Sequence, residues 1–236
     1  MRRAGTMPWK DCTRARKMRR RSMSTRGAKS IALNSIGACE RICRELRSLM
    51  SDLDIFLRQV RSRSLEHRQA MELLAGGGLA GQMASVLRQE LDSMVRVIYL
   101  LTQSPERREL LINASVHGEK WSQESSRAKV TDREMVDLAQ RLQGWTQSVY
   151  KFGCAFIHLS GLHDYNDRDP LSQLPAEERT DILKHCRHYH GGPAPDADRF
   201  EDIVPYLPRV LEKITTNLEC YLEHLENGEV LNAGEI

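Results

Sequence analysis

Five of the eight histidines of this 236-residue chain fall between His158 and His190, and Asp164, Asp167 and Asp169 lie among them. His158, His163, Asp164, His185, His188 and His190 are therefore the side chains that could bind zinc or iron, which needs three or four donors converging about 2.0–2.3 Å from one point. Spacing alone does not bring them together. His158 and His163 are five apart, turned about 140° from each other on a helix. His185 and His188 can share a face, and neither E-x-x-H nor H-E-x-x-H occurs. No metal or cofactor is predicted, and a metal site would require His163-Asp164 to fold back onto the later histidines. A second chemistry is phosphodiester cleavage by an Arg-x(4–6)-His pair, with histidine as acid or base and arginine stabilising the developing charge. Arg61 with His67 and Arg179 with His185 have that spacing. Lys151 and His158, two turns apart on one polar stripe, form a third pair.

The element that must position most of these groups is Gly144 to Tyr165, GWTQSVYKFGCAFIHLSGLHDY, a helix-length run apolar nearly all round. Such a helix is enclosed by others. Val149, Phe152, Phe156 and Leu159 fall on its inward face, and Gln147, Lys151, Cys154 and His158 form the narrower polar stripe. Upstream, Ile36, Cys39, Cys43, Leu46, Met50, Leu53, Leu57 and Val60 recur at spacings of three and four, predicting one long amphipathic helix over 31–60. Arg58, Arg61, Arg63 and Arg68 surround its end, where the helix dipole favours cations. A helix over 79–102 turns Met83, Leu87, Leu91, Met94, Ile98 and Leu101 inward, with Arg88 and Asp92 pairing on its solvated face.

Local signals mark the ends. Gly76 to Gly81, GGGLAG, matches G-x-G-x-x-G, but a helical pattern precedes it where a dinucleotide site needs a strand, so it reads as a glycine stop. Ser104-Pro105 starts a helix whose Leu110, Ala114, His117 and Trp121 share a face, with His117 and Trp121 as rim packing. Thr131 and Glu134 form a capping box. The helix PAEERTDILKHCRHYH stops at Gly191-Gly192, GGPAPDAD over 191–198 reads as an internal linker, and Leu211, Ile214, Leu218 and Leu222 begin the core face of a last helix. The expectation is an all-α bundle of about seven helices, with 31–60, 79–102, 145–164 and 208–226 as its long members.

The net charge of +3 hides an asymmetry, because eleven Lys/Arg stand against Asp11 alone in residues 1–29. The first 30 residues are expected to be a disordered basic tail, 31–228 a single domain and 229–236 a polar tail. That basic segment could contact RNA or serve as an organelle transit peptide, or translation could start at Met23 or Met18. The six cysteines, without C-x-x-C, read as reduced thiols of a cytoplasmic protein, Cys39 and Cys43 included. No window is apolar enough to predict a membrane span, and neither G-x-S-x-G nor a P-loop occurs.

The run SVLRQELDSMVRVIYLLTQSP, Ser85 to Pro105, with arginine and an acid four apart ahead of an apolar Tyr-Leu-Leu end, resembles a helix of uncharacterised bacterial bundles. Those are related to the HEPN (higher eukaryotes and prokaryotes nucleotide-binding) and abortive-infection groups. The resemblance implies an all-α bundle, frequent dimerisation and, in some relatives, ribonuclease toxins or phage-defence components. Their Arg…His motif would fall on Arg179 and His185, or on Arg61 and His67. Thr180 and Ser62 then stand where those relatives have Asn, Gln or His. Taken with the residues, the expectation is a bundle acting by self-association through 31–60, or by binding another helical protein, with no enzymatic chemistry assigned. An RNA-binding or ribonuclease component and a metal-dependent enzyme built on His158 to His190 are the alternatives.

Overall fold

The computed structural model describes residues 50–231 apart from 125–127 and 166, so the basic tail, the first part of the 31–60 helix with Cys39 and Cys43, and most of the C-terminal tail lie outside the described residues. The domain is all-α, with no strand among the described residues beyond one isolated bridge between Ser122 and Lys129. Its helices are α1 (Asp52–Gly76), α2 (Ala80–Leu101), α3 (Pro105–Val116), α4 (Asp132–Gln143), α5 (Thr146–Ile157), α6 (Ala176–His190), the single turn α7 (Phe200–Ile203) and α8 (Leu207–Glu226).

The enclosed helix is α2, not the 144–165 run. Fifteen of its 22 residues are buried, and α1, α4, α5 and α8 pack around it. Met83, Leu91, Met94, Val95, Val97 and Ile98 are all 1 % exposed or less, so burial continues round the helix instead of following one stripe. Arg88, expected on a solvated face, is only 6 % exposed.

The 144–165 run stops early. Helix α5 ends at Ile157, His158 is extended at φ −101°, and a 3-10 turn follows over Gly161–His163. Ser160 drives the stop by donating its hydroxyl to the Ala155 carbonyl at 2.7 Å and accepting from the Leu162 amide. Leu159, expected inward, is consequently 96 % exposed, and His158 leaves the stripe that was to carry it with Lys151.

The expected 31–60 helix is also corrected. Ser51 is an N-cap with extended backbone, completing a capping box with Asp54, and α1 then runs unbroken past Val60 to Gly76. A serine whose side chain accepts the third amide starts a helix at that point. Arg61 therefore lies inside a helix, where Glu219 and Glu226 of α8 bind it at 2.8 and 3.1 Å, and no dipole argument is needed. In α3 the buried residues are Arg108, Leu111 and Ile112, whereas Leu110 is 65 % exposed. Trp121 is core at 5 % exposure, with its indole N–H donating to Ser115.

Other boundaries are as expected. Thr131 and Glu134 form the capping box, Ser104 caps α3 with Pro105 in its first turn, and left-handed Gly191 ends α6. The 191–198 segment is no free linker. Gly192 and Pro193 are buried, and the Arg187 guanidinium donates to the carbonyls of Pro193, Ala194, Pro195 and Ala197.

Candidate functional site

Helices α2, α5, α6 and α8 do not close completely against one another. They leave a cavity of about 70 Å³ whose wall is almost wholly apolar: Leu87 from α2, Val149 and Phe152 from α5, Ile182 from α6, Val210 from α8. Helix α5 can approach α2 because residue 153 is glycine, and Trp145, just ahead of α5, forms another part of the wall. Tyr189 also lines the cavity and is 43 % exposed, marking the solvent side.

Few polar groups reach this space. Ser148 Oγ lies 3.4 Å from His185 Nδ1, His190 stands one turn further along α6, and Lys213 reaches in from α8. Burial is the leading cause that lowers the pKa of both histidines. Lys184 and His188 push His185 the same way against Asp181, while Lys213 and Arg209 push His190 down against Glu212. Cys186, also in the wall, has its thiol raised to about 11 by burial, so it is not a nucleophile at neutral pH.

A testable consequence concerns acid stability. A histidine whose folded pKa lies below its unfolded value binds fewer protons in the native state over the intervening pH range, so stability falls as pH drops through 6.5 and below. The melting temperature is expected to decline between pH 7.5 and 5.5, with a shallower decline in the His185→Gln/His190→Gln double variant. An unchanged slope in that variant would assign the pH dependence to other groups.

The residues singled out by spacing are scattered. His185 and His190 share the cavity, whereas His188 is exposed against Tyr189 and His158 is exposed at the end of α5. His163 packs edge-on against Phe156, and Asp164 is exposed. Among the described residues no three His, Cys, Asp or Glu side chains are placed to hold a metal ion. Arg61 points to α8 while His67, only 7 % exposed, pairs with Glu90 on α2, so that pair does not face one cleft. Arg179 and His185 are six apart on α6, about 120° from a common face, and Arg179 is not part of the cavity wall. Lys151 is held by Glu178 at 2.9 Å.

One polar grouping escaped the sequence reading, and a second was read only in part, as the Arg88–Asp92 pair with Arg96 beside it. Glu90, fully buried in α2, takes Ser64 Oγ and His67 Nδ1 at 2.5 Å each from α1. Beside it, Arg88 and Arg96 both bind Asp132 at the start of α4, Arg63 and Arg96 share Asp92, and Arg88 also stacks on Tyr150 and donates to Cys154 Sγ. The E-x-x-x-x-x-R and R-x-x-x-D spacings are visible in the sequence, but nothing local says that they face inward. These groups bind one another and tie α1, α4 and α5 to α2, which is a structural role, with Asp92 Oδ1 left buried and without a hydrogen-bond partner. The cavity is where unsatisfied space and polar groups coincide.

The class defined by fold and site is an all-α bundle with a small internal cavity. No family model, curated protein or solved structure matches this chain, so no relative assigns that cavity a ligand. No helix among the described residues is long and apolar enough to cross a membrane.

Proposed function

We propose that this protein acts by binding a small, largely apolar molecule inside its bundle. The observation that carries the reading is the α2/α5/α6/α8 cavity, a space between helices with an apolar wall and a few convergent polar groups, as small-molecule sites have. Self-association through 31–60 draws less support from the described part of that seam. Phe56 and Leu57 are 5 % and 3 % exposed within this chain's own core, and Leu53 and Val60 pack against the same cluster. Neither Arg61 with His67 nor Arg179 with His185 shares a cleft on which ribonuclease chemistry could be built.

The test uses 1-hexanol and the fluorescence of Trp145, which lines the cavity. Saturable quenching is expected, lost in Trp145→Phe, with binding weakened at least tenfold in Val149→Phe, whose added ring occupies the space. Non-saturable quenching, or binding untouched by Val149→Phe, would overturn the reading.

A further inference from the structure

Among the described residues Lys213 is the lysine or arginine that lines the cavity. Its Nζ lies 4.3 Å from the Tyr189 ring centroid and 5.9 Å from that of Trp145, at the edge of the cavity. Among the described residues no carboxylate stands within ion-pair distance of it, although Arg61, Arg63, Arg88, Arg96 and Lys151 each have one. Aromatic faces attract an ammonium and hold it in place without neutralising it. A positioned, uncompensated positive charge therefore meets an apolar cavity.

The surrounding charge has the same sign. Arg209 donates to the His190 carbonyl at 3.0 Å, and Lys213 and Arg209 both act on the His190 ring against the single acid Glu212. Yet residues 51–236 as a whole carry 21 Lys/Arg against 29 Asp/Glu, a net charge of −8, so this edge is positive on an acidic domain. Charge complementarity selects an anion there, and the cavity behind it selects an alkyl chain.

Resting on the cavity reading above, we propose that the ligand is a short-chain aliphatic carboxylate, its chain among Leu87, Val149, Phe152 and Val210 and its carboxylate on Lys213. Size sets the chain length. The cavity, at about 70 Å³, is roughly half the ~150 Å³ apolar cavity that admits six-carbon benzene, which leaves room for about three carbons inside, the rest of a four- to six-carbon chain reaching out toward Lys213. A phosphate monoester of the same length would bring a second charge that one lysine does not match.

The experiment is calorimetric titration of the full chain with hexanoate, butyrate and 1-hexanol at constant ionic strength. Hexanoate is expected to bind at least tenfold more tightly than 1-hexanol. It should also bind about 15-fold more tightly than butyrate, since two further buried methylenes contribute about 0.8 kcal/mol each. Lys213→Met should erase the preference for the acid, read as the ratio of hexanoate to 1-hexanol affinity within each variant, while Lys213→Arg should retain it. Equal binding of acid and alcohol, or a preference that survives Lys213→Met, overturns the carboxylate assignment and leaves the cavity reading standing. Binding of none of the three compounds overturns the cavity reading itself.

Discussion

Glu90→Ala is expected to lower folding stability by about 2–6 kcal/mol, since each of two buried groups left without its hydrogen-bond partner costs about 1–3 kcal/mol. Glu90 has no exposed surface, and its two carboxylate oxygens are taken by Ser64 Oγ and His67 Nδ1, both 2.5 Å away on α1. Ser64 and His67 are themselves 6 % and 7 % exposed, so truncating the acid leaves both buried without the partner they have in the fold. A cavity at the α1–α2 interface adds to the loss. Urea titration of wild type and variant reads the effect directly. A triple replacement, Ser64→Ala/His67→Phe/Glu90→Leu, removes every member at once and should recover most of the stability, because apolar packing often substitutes for a buried polar set. A loss under 1 kcal/mol in Glu90→Ala would show that the three groups are not a coupled unit.

Gly153→Ala is the second large effect, and its sign runs against helix propensity. In an isolated helix alanine is better than glycine by about 1 kcal/mol. Here a Cβ at 153 would lie 2.5 Å from Arg88 Cβ and 3.2 Å from the Ala84 carbonyl oxygen. Arg88 has little freedom to move aside, since Asp132, Tyr150 and Cys154 hold its guanidinium. Helices α2 and α5 would have to separate, and overpacking of this kind costs about 1–3 kcal/mol. The expected result is a net destabilisation of up to about 2 kcal/mol, seen as a melting temperature lower by up to roughly 8 °C in a domain of this size. Gly153→Val should be worse. A stabilised Gly153→Ala variant would mean that the two helices are not in the close contact described.

Both effects come from faces that meet, and that separates what was legible in the sequence from what was not. Helix content and most helix ends were legible because they depend on residues within one turn. Thr131 finds Glu134, Ser104 precedes Pro105, and Gly191 accepts the left-handed backbone that ends α6 at φ 75°. Even the missed start of α1 was written locally, in Ser51-Asp-Leu-Asp54, but the apolar periodicity running through it hid the cap. Ser160 was a weaker signal for the end of α5, since a serine hydroxyl bonds back to a helix only when the chain beyond it turns.

Which helix is enclosed could not be read this way. The 144–165 run holds two charged residues against four in α2, yet α2 carries Arg88 and Glu90 into the centre because Asp132, Ser64 and His67 arrive there from other helices to satisfy them. The histidines followed the same logic. Their density in sequence suggested one site, but α5 ended at Ile157 and sent His158 outward, while α6 turned His185 and His190 toward the cavity and His188 to solvent. The sequence by itself determined an all-α chain and where most of its helices begin and end, since capping and periodicity act over three or four residues. Only the tertiary structure decided that Ser148, His185, His190 and Lys213 border one apolar space, because that depends on how four separate helices pack and where they fail to close.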